Sequence, residues 1–460
     1  MSRKVIAICI MIFAILITSC APQATPTTSQ PAENEGSKAP ETEAPEAPSS
    51  EKVKIELWVG DWGACFKPII AEKINPQAET FEVGIVDIPM TGADTQRAAL
   101  STGGGPDIVI TAGPAEAREY SKAGLNIPLD PYVEKYGWDE RFAPWAMNLS
   151  SLNGQLYSIQ AELETMILYY NKTLFEEKGY QPPKTYDEMV AVAEQMKEDG
   201  IIPFASAVGD MKWPTDYVYA EYLNAIAGPD AVYEALTGKR SWTDPVFVET
   251  FTELSDQAKA GWFMGGLDSY FTKTWDEQWA ALGTGEAGMT IQGTWMFPGM
   301  SIEDYFKDTG NTWDWLPMPR KAGEPVFDIG LGSAWAINKY SKHPDEAAEF
   351  LDMWFQPELQ IELLKTSCVA PAAVVVPESA TADLDPRVSA VYKAMNEAFA
   401  SGNYGYTTWT FWPPELQLYM QKGLEDVYND TLTVEDFLKG TDEIMKKELE
   451  AGNAPPIPSR

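Results

Sequence analysis

Val53-Lys54-Ile55-Glu56-Leu57-Trp58-Val59 alternates apolar and polar residues and stops at Gly60. A period of two is the mark of a strand with one buried face. Phe81 to Ile88 (FEVGIVDI) and Asp107 to Ile110 (DIVI) repeat the signal. Phe66 to Ile74 and Asp94 to Leu100 read as helices between these strands, and Ala115 to Ala123 as a helix after the third. Strands alternating with helices predict an α/β lobe on a largely parallel sheet.

Further along, helices dominate. Thr185-Tyr186-Asp187-Glu188 is a capping box. Met189, Val190, Val192, Ala193 and Met196 give its helix one apolar face, and Gly200 ends it. Helices are expected at Trp213 to Ala225, Val246 to Ala260 and Trp275 to Leu282, with strands at Gly288 to Ile291 and around Ser333 to Ile337. The last third reads as helical: Pro344 to Phe355, Pro357 to Leu364, Val388 to Ala400, Glu415 to Tyr428 and Val434 to Glu448.

Toward the N-terminus the composition changes sharply at Lys52. Ala21 to Glu51 is rich in Pro, Thr, Ser, Ala and Glu, without an aromatic or branched apolar residue. Such a segment buries too little surface to offset its ordering entropy, so residues 20–51 are expected to form a disordered linker. Before it, Arg3 and Lys4 precede an apolar run from Val5 to Ile17, which is followed by Thr18-Ser19-Cys20. A basic start, a short apolar core and a small-residue junction read as an export signal over residues 1–19. The core is shorter than the roughly 20 residues a membrane-spanning helix needs. Cys20 after small residues resembles a bacterial lipobox, in which that cysteine is diacylated. The expectation is an extracytoplasmic, lipid-anchored protein; the alternative is an ordinary signal peptide with an incidental cysteine.

About 410 residues follow Glu51, too many for one compact core and natural for two lobes. The chain carries 34 basic and 68 acidic residues, a net charge of −34. That field disfavours nucleic acid and anionic ligands. Of four cysteines, Cys9 and Cys20 are accounted for by the export signal and its lipobox junction. Cys65 and Cys368 then form either one disulfide or two buried free thiols. His343, the one histidine, sits in Ser341-Lys342-His343-Pro344-Asp345-Glu346, which reads as a helix start. Neither a histidine-based metal site nor a conventional Ser-His-Asp triad is expected from one such imidazole. There is no phosphate loop or dinucleotide fingerprint. Carboxylate-pair chemistry survives this filter, since it needs no histidine.

Four segments, in order, resemble the extracellular solute-binding proteins of ABC importers, family 1, the sugar-binding group that includes maltose-binding proteins. They are Gly103-Gly104-Gly105-Pro106-Asp107-Ile108-Val109; Leu168-Tyr169-Tyr170-Asn171-Lys172 with Leu174-Phe175, Gly179 and Pro182-Pro183-Lys184-Thr185-Tyr186-Asp187-Glu188; Gly285 to Trp295; and Ser341 to Phe355. The resemblance spans roughly residues 52 to 450. It implies an α/β, two-lobe periplasmic-binding-protein-like fold (class II), hinged by crossing segments, with a ligand cleft between the lobes. The crossings are expected near Gln160 to Leu163, Val326 to Asp328 and Ala370 to Ala373. Lobe 1 is then residues 52–162 plus 328–371, and lobe 2 residues 163–327 plus 372–460.

A neutral sugar presents hydroxyl edges and apolar C–H faces, calling for carboxylates, amides and aromatic rings. Of the 16 tryptophans, Trp295 matches the family's signature Trp, and Trp213 sits where similar proteins carry a cleft aromatic. Trp409 and Trp412 lie in Tyr404-Gly405-Tyr406-Thr407-Thr408-Trp409-Thr410-Phe411-Trp412, read as a loop with exposed rings; packing beneath a helix is the alternative for all four. Asp61 and Trp62 follow the first strand, at the edge where open α/β sheets bind ligands; the alternative role for Asp61 is to cap the next helix. Glu164 matches a polar ligand contact in similar proteins, and Asp210 precedes Trp213 in a loop. Asp328 and Gly332 mark the return crossing, where glycine lets backbone approach a ligand. Asp107 is expected to be structural. Trp138, Trp242, Trp262, Trp275, Trp279 and Trp354 are expected to pack helices.

The leading expectation is a monomeric sugar receptor, not an enzyme, needing no cofactor or metal. Its partners are a mono- or oligosaccharide, the permease subunits of an ABC importer and a membrane through the N-terminal lipid. The rivals are a secreted carboxylate-dependent glycoside hydrolase and a receptor of the same fold for a non-sugar solute.

Overall fold

A computed structural model describes residues 52–60, 63, 65–88, 93–297, 301–366, 372 and 383–458. In chain order its strands are β1 (Val53–Val59), β2 (Phe81–Asp87), β3 (Ile108–Thr111), β4 (Ser151–Leu152), β5 (Gln155–Leu156), β6 (Ile159–Gln160), β7 (Leu163–Glu164) and β8 (Met166–Asn171). There follow β9 (Ile202–Phe204), β10 (Ala287–Gly293), β11 (Trp313–Leu316), β12 (Phe327–Leu331), β13 (Ala334–Ile337) and β14 (Tyr404–Tyr406).

The alternation in β1 does what its period requires, with Ile55, Leu57 and Val59 buried while their neighbours are more exposed. β1 pairs in parallel with β2 and β3, and β13 and β6 complete a five-stranded sheet in the order β2-β1-β3-β13-β6. β13 runs antiparallel to both its neighbours. Against this sheet Trp335 stacks on Trp354 at 5.3 Å, and Phe66 meets Trp354 at 4.9 Å. The helix expected from Phe66 to Ile74 forms as an α-turn, Phe66–Ile69, running into a π-helical turn, Ile70–Ile74. The expected tie of Asp107 is present: its carboxylate accepts from the Glu56 N–H (2.9 Å) and from Ser341 Oγ (2.6 Å).

A second sheet, in the order β11-β8-β10-β9, is the centre of a separate and larger core. Every residue of β8 and β10 is buried, as strands covered on both faces must be. The helix Tyr186–Glu198 covers it. Its capping box closes as read, with Thr185 Oγ1 accepting from the Glu188 N–H and Glu188 accepting from the Thr185 N–H, both at 3.2 Å. Met196 of that helix lies directly over Gly288, where any Cβ would collide with it. Trp138, Trp242, Trp262, Trp279 and Trp354 are all buried, while Trp275 packs against the larger core from a half-buried position.

A third sheet, β14-β12-β7, lies along the segments that leave and re-enter the five-stranded sheet. The chain passes from β6 to β7 through Ala161 and Glu162, and returns from β12 to β13 through Gly332 and Ser333. Asp328, expected at the return crossing, instead sits inside β12, opposite Gly405 of β14; the passage into the first sheet comes after Leu331. At the third expected crossing, residues 370–373, only Ala372 falls among the described residues. It is buried, and its N–H donates to Gln360 Oε1.

The stretch from Tyr404 to Trp412 corrects the sequence reading. It is not an exposed aromatic loop: Tyr404-Gly405-Tyr406 is the strand β14, buried throughout, and Thr408–Phe411 is a short helix. Parallel pairing with β12 on one side, and bonds of Tyr406 to the Asn224 side chain on the other, serve its backbone.

Cys65 is disulfide-bonded, and its partner lies outside the described residues, as do Cys20 and Cys368. With Cys368 as partner, thiol counting on the unreduced, unfolded protein should find neither Cys65 nor Cys368 titrating. Cys65→Ser should then lower stability by about 2–4 kcal/mol in denaturant unfolding and release one thiol at Cys368.

Candidate functional site

Three aromatic rings meet beside the crossing segments. Trp295 stands in the 3₁₀ turn Thr294–Met296 that follows β10. Its ring lies over Gly293, a position where any side chain would occupy the space of the indole. The turn is tied to the β7–β8 junction twice: the Thr294 N–H donates to Thr165 O (3.0 Å), and the Thr165 N–H donates to Thr294 Oγ1 (3.2 Å). Trp409 is carried by the helix Thr408–Phe411, which threonines clamp to β12. Thr407 Oγ1 donates to Ile329 O (2.7 Å), and the Leu331 N–H donates to Thr410 Oγ1 (2.9 Å). Tyr217, on the helix Trp213–Tyr222, completes the group. Ring centroids lie 4.9 Å apart for Tyr217 and Trp295, and 5.7 Å apart for Tyr217 with Trp409 and for Trp295 with Trp409. Trp295 and Trp409 are half-buried. Trp213, one turn before Tyr217, is 43% exposed.

Two carboxylates border these rings. Glu162 and Glu164 are both buried, and alternate positions along an extended segment share a face. The two crossing segments bond to each other through the Gly332 N–H to Glu162 O (2.9 Å) and the Ala161 N–H to Ser333 O (2.8 Å). The Glu162 carboxylate then accepts from the Ser333 N–H and from Ser333 Oγ. Glu162 Oε2 and Glu164 Oε1 each approach to 2.7 Å of where a Cβ on Gly332 would stand. Glycine is therefore required there by close approach, and both carboxylates converge over its backbone. Trp409 Cζ2 and the Glu164 carbonyl similarly crowd the Cβ position of Gly330, each at 3.1 Å.

The electrostatics follow from burial. Loss of water raises the Glu164 carboxyl well above the ordinary carboxylate range, and the charge of Glu162 raises it further. Burial also raises Glu162, against the opposing pull of its Ser333 hydrogen bonds. A second carboxyl pair lies deeper. Asp328 Oδ1 accepts from the Met166 N–H at 3.1 Å, and Glu221 faces it. Burial raises both, and Glu221 stands higher because the charge of Asp328 adds to the effect. Asp216, next to Tyr217, accepts from Gln417 (2.9 Å) and Gln421; burial pushes it up to about 7.

The residues singled out from sequence thus divide. Glu164, Trp295, Trp409 and Gly332 come together at the crossing, with the exposed Trp213 a helical turn from Tyr217. Asp328 is buried and serves the backbone of β8. Asp210 is exposed and accepts from the Trp275 N–H at 3.0 Å, the first residue of the helix Trp275–Thr284. Trp412 is a core residue: fully buried, it lies 6.1 Å from Trp242 and donates to Met420 Sδ. Asp61 and Trp62 lie outside the described residues. Glu162, Tyr217 and Glu221 were missed. Glu162 and Tyr217 left a signal, as Glu162 is two residues from Glu164 in an extended stretch and Tyr217 is four from Trp213 on a helix. Among the described residues, no group of three or more His, Cys, Asp or Glu side chains is placed to hold a metal ion.

Residues 72–361 match the family model of the bacterial extracellular solute-binding proteins. An uncharacterised ABC transporter extracellular-binding protein of Pyrococcus horikoshii is 28% identical over 257 residues, covering 54% of this chain and 53% of that protein. The Multiple sugar-binding protein of Streptococcus mutans is 25% identical over 312 residues, 65% of this chain and 70% of its own length. This chain spans about half the length of the two Pyrococcus horikoshii relatives it matches. Among solved structures, a chitin oligosaccharide binding protein superposes with a TM-score of 0.73 at 22% identity, covering 86% of this chain and 98% of its own. At that identity the likeness is one of fold, the two-lobe architecture.

Each of the five buried carboxyls binds its proton more tightly folded than unfolded, where carboxylates titrate near 4. The stability this confers is complete below the unfolded value and is lost as pH rises through the folded one, for Asp216 between about 4 and 7. Urea unfolding is expected to show greater stability at pH 5 than at pH 8.5. Asp216→Asn should narrow that difference by about 2–3 kcal/mol; a difference unchanged by the substitution would show that Asp216 is not the titrating group.

Proposed function

We propose a task for the molecule from one premise: the chain belongs to the family of bacterial extracellular solute-binding proteins. Its work is extracytoplasmic, and its ligand is a mono- or oligosaccharide captured for an ABC importer. The observation that carries this reading is the set of three rings beside two convergent carboxylates at the crossing of the segments between sheets. Aromatic faces suit the C–H faces of a pyranose, and carboxylates accept from its hydroxyls. The sugar ligands named for its relatives and structural neighbours support the same choice.

Capture proceeds by a shift in population between open and closed arrangements of the lobes, since ligand touches both only when they close. Segments 161–163 and 331–334 are the hinge, and Asp61 and Trp62 supply contacts from the first lobe. The closed receptor then docks on the permease. It works as a monomer, tethered by a lipid on Cys20 and by the Pro-, Thr- and Ala-rich linker that follows the cysteine.

Isothermal titration of the full chain against a panel of sugars, with the ligand recovered afterwards, tests the assignment. Saturable one-to-one binding with intact sugar recovered is expected; shortened sugar would replace the receptor by a hydrolase. A dissociation constant near micromolar corresponds to about −8 kcal/mol. Trp213→Ala and Trp409→Ala should each weaken affinity at least tenfold, about 1.4 kcal/mol, with unchanged far-UV circular dichroism. Unchanged affinity in either variant would remove that ring from the site.

A further inference from the structure

Glu162 and Glu164 pose a problem that a neutral ligand does not solve. Both side chains are at least nine-tenths buried, at 6% and 7% exposed. Among the described residues neither pairs with a lysine, arginine or histidine, although such ion pairs are frequent elsewhere on the molecule. Glu162 is held in place by Ser333. Glu164 accepts no hydrogen bond from the described residues, leaving its oxygens available beside the aromatic group. Two carboxylates this close, removed from water, cannot both stay ionised without a cation. Apart from such a cation they must share a proton, and a shared proton removes part of the acceptor capacity that a polyhydroxyl ligand would use.

The rings point the same way. Aromatic faces carry negative charge density and attract a cation placed over them. The chain as a whole, at net −34, concentrates cations rather than anions around it. Both carboxylates, the lack of a counter-cation among the described residues and the adjoining rings therefore favour the same sign of charge.

We infer that the ligand carries a protonated amine, and that the site takes an amino sugar with its ammonium against Glu162 and Glu164 and a sugar face on Trp295 or Trp409. This rests on the sugar reading above and narrows it to one chemical class. Glu164 alone would serve any sugar hydroxyl; the second carboxylate, Glu162, is what turns the position into a site for positive charge. Glu162 is the specificity-determining residue, since Glu162→Gln keeps an oxygen to accept from Ser333 while removing the charge.

The test is isothermal titration of the full chain at pH 7 with glucose, galactose and mannose and their β-1,4-linked disaccharides. Each is offered in hydroxyl, 2-acetamido and 2-amino form, and spermidine serves as a non-sugar amine. The expected result is that an amino form binds at least tenfold tighter than its hydroxyl and acetamido counterparts. Glu162→Gln should abolish that margin, leaving the amino form no tighter than the hydroxyl and acetamido forms measured on the same variant. Neutral forms binding as tightly as the amino form would overturn the inference and leave the sugar reading standing. A margin that survives Glu162→Gln would equally overturn the assignment to this pair. Binding of spermidine with no sugar of any form bound would overturn the sugar reading, and the amino-sugar inference with it.

Discussion

A carboxylate that leaves water needs hydrogen bonds or a proton, and Glu162 meets that requirement in the passage between two sheets. Its Oε2 accepts from both the N–H and the hydroxyl of Ser333 on the returning segment, while its own carbonyl accepts from the Gly332 N–H. Two chain crossings far apart in sequence are thereby held side by side. Ser333 Oγ also accepts from the indole N–H of Trp335 at 2.8 Å, which carries the constraint into the core of the five-stranded sheet. In the other direction, Glu164 and Leu163 pair with Gly330 and Leu331, which carries it into β12 and the helix that bears Trp409. Replacing Gly332 by a residue with a side chain would force both carboxylates apart, so a glycine without unusual dihedral angles is indispensable for space alone.

The aromatic group is positioned by polar contacts rather than by apolar packing alone. Trp295 depends on reciprocal bonds between Thr165 and Thr294 and on the bare surface of Gly293. Trp409 depends on Thr407 and Thr410, whose hydroxyls bond to β12 and to each other. Hydrogen bonds are directional, whereas apolar contact is not, so rings held this way keep one orientation while part of each stays open to a ligand. Gly113 lets the loop after β3 approach the same region, since a Cβ there would meet the carbonyls of Trp409, Leu331 and Gly332 within 3.2 Å. The C-terminal end of the central strand β3 and the ring-bearing helix thus approach each other through backbone.

The buried acids give the molecule an unusual interior. Glu221 faces Asp328, Asp216 lies among glutamines and Glu162 is held by Ser333, and among the described residues none of these acids, nor Glu164, forms an ion pair to a base. Exposed lysines instead hold many surface carboxylates, and such pairs contribute little each. The large negative charge read from composition therefore has two physical destinations: a solvated surface, and a few protonation-sensitive positions near the site.

Much of the architecture was legible because it rests on local periodicity. The alternation of Val53–Val59, the capping box at Thr185–Glu188 and the proline-initiated helices at Pro344 and Pro357 depend on near neighbours, and each element formed within a few residues of its reading. Glu164, Trp295 and Trp409 were legible as residue types in familiar surroundings. What remained hidden was decided by pairing between distant segments. Tyr404–Trp412 read as a loop because nothing local marks β14; its strand exists only because β12 offers a parallel partner, and Trp412 is buried by the helix Pro414–Tyr428 that folds back over it. By itself the sequence determined the α/β class, the run of helices and the chemistry offered to a ligand, since each follows from residues close in the chain. Only the tertiary structure decided that Glu162 joins Glu164 over Gly332 and that Tyr217 joins two tryptophans, because those meetings require segments far apart in the chain to cross.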